Sequence, residues 1–394
     1  MRSFGHACRI AAAIALVAAL WSGAARAQLM IIGGDQKPHI VDGKATIGPP
    51  GHDALLILDI SRPAAPRIAA TIPLDNTIIG PPVNLAITPS RDLALVADTM
   101  KAEPKDNSFA MVPDNRLFVV DLKADPPAVI KTLTLGNAPA GMAISPDGKW
   151  ALVANRGDGT LSVLSIEGKE VSVSDTVTVG TAADQVSAVA IAPDGKRALA
   201  VKSAANKVAV LTIDNGKVSY SKDNDLPGDN YPYNVAITPN GELALLANTG
   251  NGGSSDGNAD TVSVVDMEAT PIRVIDHVTV GDSPEGLAIS PKGDVAVTVE
   301  ARGSNRSKDT WYYHPTGAVT VLRIDGKHVT RVGEAEVGAL PEGAAFSADG
   351  SYLYVGNFMD SDLSVFRVAG DRLTNTGQRF KLPSQPASMR SGPQ

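Results

Sequence analysis

A chain of 394 residues with 43% hydrophobic and 4% aromatic side chains, a formal charge of −7 and one cysteine is constrained before any pattern is read. The acidic balance speaks against nucleic acid or an anionic membrane as partner and suits a cationic ligand or partner better. One cysteine supports neither an internal disulfide framework nor a cysteine-based zinc site.

In chain order, residues 1–27 come first and read as a secretory signal peptide. Arg2 and Arg9 make a positive start, Ile10 to Leu20 is an apolar run too short to stay as a membrane anchor, and Ala25-Arg26-Ala27 offers a small-x-small cleavage site. Cleavage after Ala27 predicts a periplasmic or secreted product, and no later stretch is long and apolar enough for a membrane span. Cys8 leaves with the signal, and the loss of Arg2, Arg9 and Arg26 takes the formal charge from −7 to −10.

Residues 28–394 are expected to form one all-β domain, a seven-bladed β-propeller of four-stranded antiparallel blades. Leu29 to Ile32, Leu55 to Ile60 and Ile68 to Leu74 read as the second, third and fourth strands of a first blade. Six segments then recur: Asn84-Leu-Ala-Ile-Thr-Pro89, Gly141-Met-Ala-Ile-Ser-Pro146, Ala188-Val-Ala-Ile-Ala-Pro193, Asn234-Val-Ala-Ile-Thr-Pro239, Gly286-Leu-Ala-Ile-Ser-Pro291 and Gly343-Ala-Ala-Phe-Ser-Ala348. Their shared alanines (Ala86, Ala143, Ala190, Ala236, Ala288, Ala345) are spaced by 57, 47, 46, 52 and 57 residues, a period of propeller blades with insertions. The small side chain suits the crowded axis where blades converge.

The third blade shows the unit in full: Met142 to Ser145, a turn at Asp147-Gly148, Ala151 to Asn155, Thr160 to Ile166 and Val173 to Val179. The first two strands are apolar on both faces, as strands sandwiched between neighbours must be, and the outer ones alternate. At the C-terminus, Gln385 to Met389 restarts the inner-strand pattern, so a split blade is expected, with its inner strand from the C-terminus and three strands from the N-terminus. An open repeat array or an eight-bladed ring is the alternative; the complementary partial repeats at the two ends favour seven.

Four insertions, Asp35 to His52, Lys101 to Asp114, Gly250 to Asp260 and Ala301 to Thr316, fall between second and third strands and so decorate one face. Aligning the repeats on that face gives two rings of positions. At the end of strand two stand Asp98, Asn155, Lys202, Asn248, Glu300 and Asn357; before the inner strand stand Val83, Ala140, Ser187, Tyr233, Glu285, Glu342 and Ala387. The mouth they surround is the expected pocket. Glu285, Glu300 and Glu342, with Arg302 and Lys202, are the candidate catalytic groups. Asp98, Asn155, Arg156, Tyr233, Asn234, Trp311 and His314 are the candidate ligand-binding ones. Bland readings stand beside these: the recurrent Asn caps its own turn, the Pro-Glu-Gly context of Glu285 and Glu342 is loop chemistry, and Trp311 to His314 anchor a long loop. Glu300 and Lys202 depart from the recurrent Asn, which argues for a special role.

Several chemistries lack a signature. No histidine pair has metal-ligand spacing, Asp256 to Asp260 lacks an EF-hand pattern, and there is neither a Gly-x-Ser-x-Gly elbow nor a covalent haem motif. The cofactor therefore stays unknown, with an oxygen-liganded calcium or magnesium ion left open.

The units Ser145-Pro-Asp-Gly-Lys-Trp-Ala-Leu-Val-Ala-Asn155 with Gly159-Thr-Leu-Ser-Val163, and Tyr352-Leu-Tyr-Val-Gly-Asn357 with Asp362-Leu-Ser-Val365, resemble the YVTN-type propeller repeats. That superfamily includes seven-bladed lactonase-like proteins, and its more distant relatives are the d1-haem domain of nitrite reductase and the large subunit of methylamine dehydrogenase. In lactonase-like relatives, carboxylates and basic residues at the channel mouth are implicated in lactone opening; Glu285, Glu300, Glu342, Arg156 and Lys202 occupy a comparable zone. No inner-strand histidine supplies the axial ligand a d1-haem would need. The resemblance implies an exported lactonase-like propeller that hydrolyses a lactone or related small ligand. The alternative is a non-catalytic propeller that holds a ligand or a periplasmic protein on its decorated face, and a monomer is expected in either case.

Overall fold

The computed structural model describes residues 28–214 and 216–392; the signal peptide expected at residues 1–27 lies outside them. Seven antiparallel sheets are arranged around a central channel, and three short 3-10 turns are the only helical elements among the described residues. No helix among them is long and apolar enough to cross a membrane.

Blade III sets the pattern. Its strands Pro139–Ile144, Trp150–Asn155, Thr160–Glu167 and Glu170–Thr178 pair in order from the axis outward. On the second strand, Ala151 and Val153 pack towards blade II, among Leu95, Leu117 and Val119, whereas Leu152 and Ala154 pack towards blade IV, among Val189, Ala198 and Ala209. Alternate side chains thus serve two different cores, which is why the strand is apolar throughout. The fourth strand has solvent on one side, and half-buried and exposed positions alternate along Ala128–Thr134 of blade II. Truncating an interblade leucine such as Leu152 removes contacts from a dry interface, worth roughly 2–5 kcal/mol.

The inner strands of blades IV to VII are Val186–Ile191, Pro232–Ile237, Pro284–Ile289 and Pro341–Phe346. The two chain ends share one sheet, ordered Pro386–Ser391, Leu29–Gly34, Ala54–Asp59 and Arg67–Pro73, with Ile31 opposite Arg390. We number this sheet blade I; Ile32, Leu56 and Met389 from it pack with Tyr354 and Val365 of blade VII.

Two insertions read as loops are ordered strands instead. Leu93–Lys105 and Ser108–Asp121 of blade II run on as one long hairpin, with Lys105 opposite Ser108. Within the blade I insertion, Pro38–Val41 pairs with Lys44–Ile47. In both, backbone pairing satisfies groups that a structureless loop would leave to water.

Candidate functional site

Each inner strand of blades III to VII begins with a bulge against its neighbour: the register slips between Pro139 and Met142, Val186 and Ala188, Pro232 and Asn234, Pro284 and Gly286, and Pro341 and Ala344. A bulge re-aims the extra side chain out of the ladder. Ala140, Ser187, Tyr233, Glu285 and Glu342 occupy those bulges. Two residues before them, Ala138, Gln185, Tyr231, Ser283 and Leu340 all adopt a left-handed backbone, with φ between 46° and 57°. Non-glycine residues pay about 1–3 kcal/mol each for such geometry, and it accumulates around sites.

Glu285 and Glu342 stand on the adjoining inner strands of blades VI and VII. Glu342 is 1% exposed, its Oε2 has no hydrogen-bond partner among the described residues, and burial followed by the charge of Glu285 pushes its carboxyl well above the usual range. Glu285 is half-buried, and burial raises it to about 7 although the guanidinium of Arg306 pulls the other way. Two acids that feel each other cannot both ionise readily, so the pair gives up its protons in two separate steps.

Tyr233 lies beside them on blade V. Its phenol is held well above its ordinary pKa by burial first and then by the Glu285 carboxylate. Its ring stacks on Tyr231 at 6.2 Å between centroids. Arg156, reaching in from blade III, donates to Gln185 Oε1 at 2.7 Å and to Tyr231 Oη at 3.0 Å, and Tyr231 donates to Gln185 at 2.5 Å. The Arg156 Nε is buried without a partner among the described residues, as is that of Arg306, whose Nη2 donates to the Ser255 carbonyl at 3.3 Å. The result is a desolvated band with two carboxyls, a phenol and two guanidiniums. Asn234 serves it from behind, donating to the backbone carbonyl of Glu285 at 3.2 Å.

The other expected site residues are held elsewhere. Glu300 lies within the sheet of blade VI, where Thr298 donates to it at 2.5 Å and burial lifts its carboxyl to about 8. Lys202 turns outward along blade IV to a buried ion pair with Asp225 at 2.8 Å and to Tyr220 at 3.3 Å. Arg302 reaches the outer strand at Glu334, 3.4 Å away. Asp98, fully buried, accepts from Arg116 at 3.1 Å. The common cause is position: the end of strand two points into its own sheet, not into the channel. Asn155, Asn248 and Asn357 share that position, and their amides donate to side-chain oxygens of the third strand, Thr160 and Ser162, Thr261 and Ser263, and Asp362 and Ser364. The turn-capping role read for them is therefore corrected to a bond between strands.

Trp311 is 80% exposed and meets Tyr312 edge-on at 5.3 Å. His314 bonds Thr316 in its own loop, with Glu336 at 3.9 Å. Neither reaches the band. A cavity of about 510 Å³ lies at the end of the channel opposite the decorated face. Among the described residues, no group of three or more His, Cys, Asp or Glu is placed to hold a metal ion.

Gln185, Tyr231 and Arg306 escaped the repeat alignment. The first two precede the inner strand by one residue, and Arg306 sits within an insertion whose sequence does not repeat in other blades.

The chain is an all-β ring of seven four-stranded blades with a polar band at one end of its channel. Residues 249–391 match the family model described as "Lactonase, 7-bladed beta-propeller". Among solved structures, the chain is similar to the periplasmic gluconolactonase of Pseudomonas aeruginosa, with a TM-score of 0.66 and 17% identity over 93% of this chain and 99% of the other. It is similar also to a proposed 6-phosphogluconolactonase of Bacteroides fragilis, at 0.67 and 16% over 94% and 99%. Hydrazine synthase of Kuenenia stuttgartiensis shares the fold at 0.58 and 19%, over 80% and 90%. At such identities the likeness is one of fold. No curated protein matches the sequence.

Proposed function

We propose that the protein is an exported hydrolase of lactones or related cyclic esters, with Glu285 and Glu342 as its acid–base pair. The observation that carries this reading is the pairing itself: two carboxyls on neighbouring inner strands, one raised by burial to about 7 and the other pushed well above the usual range by burial and by its neighbour. Chemistry at neutral pH that needs one group to take a proton and another to give one is served by that split. The periplasmic gluconolactonase of Pseudomonas aeruginosa, alike in fold, and the signal-like segment at residues 1–27 support export and the substrate class.

In this reading ionised Glu285 removes a proton from water as its oxygen adds to the lactone carbonyl carbon. Arg156 and Arg306 stabilise the negative charge that develops on the carbonyl oxygen. The ring C–O bond then breaks, protonated Glu342 gives its proton to the departing ring oxygen, and a hydroxy acid leaves. Transfer of the proton from Glu285 to Glu342 restores the starting state.

Glu285→Gln and Glu342→Gln are each expected to lower kcat on a panel of sugar and aliphatic lactones by roughly 100-fold or more. In the unaltered protein, kcat/KM should rise with pH through about 7 as Glu285 ionises. Hydrolysis that survives both substitutions, or that shows no inflection near that pH, removes this assignment.

A further inference from the structure

Two insertions of the decorated face, Gly250 to Asp260 of blade V and Ala301 to Thr316 of blade VI, meet at residues 281–283, which lead into the inner strand bearing Glu285. The amides of Ala301 and Arg302 donate to the carbonyls of Ser283 and Asp282 at 3.2 and 3.3 Å, and the Asp260 amide donates to that of Gly281 at 3.3 Å. The Asp260 carboxylate accepts in turn from the Ser283 amide at 2.8 Å. The Asp282 side chain, 9% exposed, reaches back across the first insertion. Its two carboxylate oxygens accept from the consecutive amides of Asp256 and Gly257, at 3.1 and 3.2 Å. Just before those amides stands Ser255, 3% exposed, which bonds the second insertion twice: its Oγ accepts from the Gly303 amide at 3.0 Å and its carbonyl from Arg306 Nη2 at 3.3 Å. The Ser255 carbonyl and the Asp256 amide belong to one planar peptide unit, so a bond that fixes the amide also fixes the direction of the carbonyl.

We propose that Asp282 is a positioning residue: by clamping the peptide between Ser255 and Asp256 it holds the Arg306 guanidinium in place against the Glu285 carboxyl. The inference rests on the reading of Glu285 as the base and adds to it what sets the ionisation of that base. An arginine head rides on a long flexible stem, so it is placed only as well as its acceptors are. Here the acceptor is a carbonyl on an insertion, and the clamp makes its direction part of the fold. The guanidinium so held is the charge that lowers the Glu285 carboxyl against the effect of burial. Burial raises the Asp282 carboxyl, and the amides of Asp256 and Gly257 draw it back down, as bonds to an ionised group do. Asp256 and Asp260 are the acids that act on it. Clamp and base stand three residues apart on one stretch of chain, so the cation is carried by the segment it serves.

The test follows the Glu285 carboxyl by carbon-13 NMR in protein labelled at the glutamate side-chain carboxyls, with its signal assigned from Glu285→Gln, and measures kcat/KM on the lactone panel against pH beside it. Asp282→Ala should raise the Glu285 titration by about one pH unit from its value of about 7. It should also lower kcat roughly 10- to 100-fold. Asp282→Asn keeps one acceptor oxygen and should move both by less, in the same direction; it carries the test if Asp282→Ala does not fold. Arg306→Ala should raise the titration at least as far as Asp282→Ala does, and combining the two should add nothing, because they act in series. A Glu285 titration unmoved in the Asp282 variants, even with Tm lowered, or shifts that add in the double variant, would overturn the inference. The titration is read without turnover, so absence of lactone hydrolysis strikes the proposed function and leaves this result to stand or fall by itself.

Discussion

The two ends of the channel are made by the same inner strands, yet they carry opposite chemistry. At the far end the repeat writes Ala-Ile into blade after blade, because converging strands leave room for little else, and the wall is uniform and apolar. At the decorated end the strand starts with a bulge, the side chain leaves the ladder, and each blade is free to differ: Ala140, Ser187, Tyr233, Glu285 and Glu342. Repetition therefore marks where packing dictates the residue, and variation at an equivalent position marks where chemistry can be placed. Variation is not sufficient by itself. Glu300 and Lys202 also depart from their ring, but their position points into the sheet, where Thr298 and Asp225 take them up.

That contrast can be broken in graded ways. The largest expected effect is the loss of hydrolysis in Glu285→Gln and Glu342→Gln, since it removes the polar end's acid–base split. Next comes Gly286→Ala. An added Cβ would stand 2.2 Å from the Glu342 backbone oxygen and 2.5 Å from Val299 Cγ2, so blades VI and VII must part. Thermal unfolding should report a loss of roughly 1–3 kcal/mol, and the pH inflection near 7 should move as the two carboxyls separate. Gly333→Ala, with open space around the new methyl, should stay within about 0.5 kcal/mol. Equal losses in the two glycine variants would mean that close blade contact is not what holds the pair.

A smaller effect separates Glu300 from the band. Its folded pKa, about 8, lies above its ordinary value of 4.5, so folding favours the protonated form. The contribution of Glu300 to stability is then fully present below the unfolded value and is lost as pH rises from about 4.5 through about 8. Glu300→Gln should flatten that slope, raising Tm by a few degrees at pH 9 relative to the unaltered chain while leaving kcat on lactones in place. A large fall in kcat instead would return Glu300 to the site. The smallest change is expected for Trp311→Ala: a side chain 80% exposed should alter neither Tm nor hydrolysis measurably, and a drop in kcat would bring its insertion into the site.

The recurring Ala and its spacing announced seven four-stranded blades because a blade is a local unit: turn, strand length and two-sided burial are all written within some fifty residues. The carboxylates at 285 and 342 could be singled out by the same alignment, since they are the charged members of an otherwise uncharged ring. Other parts of the site were hidden. Gln185 and Tyr231 join Arg156 only because left-handed backbone before two different inner strands turns their side chains to one point. Arg306 arrives from an insertion whose sequence does not repeat between blades, so no alignment of repeats could rank it.

The sequence by itself determined the blade, its strand order and the number of its repeats, because hydrophobic patterning and turn chemistry act over short distances. Only the tertiary structure decided which polar residues meet. Strand direction at the end of strand two sends Glu300, Lys202 and Asp98 into their sheets, whereas the bulge at the start of strand one sends Tyr233, Glu285 and Glu342 inward. It decided also that a cavity of about 510 Å³ opens at the far end of the channel, where Ala-Ile strand ends line it.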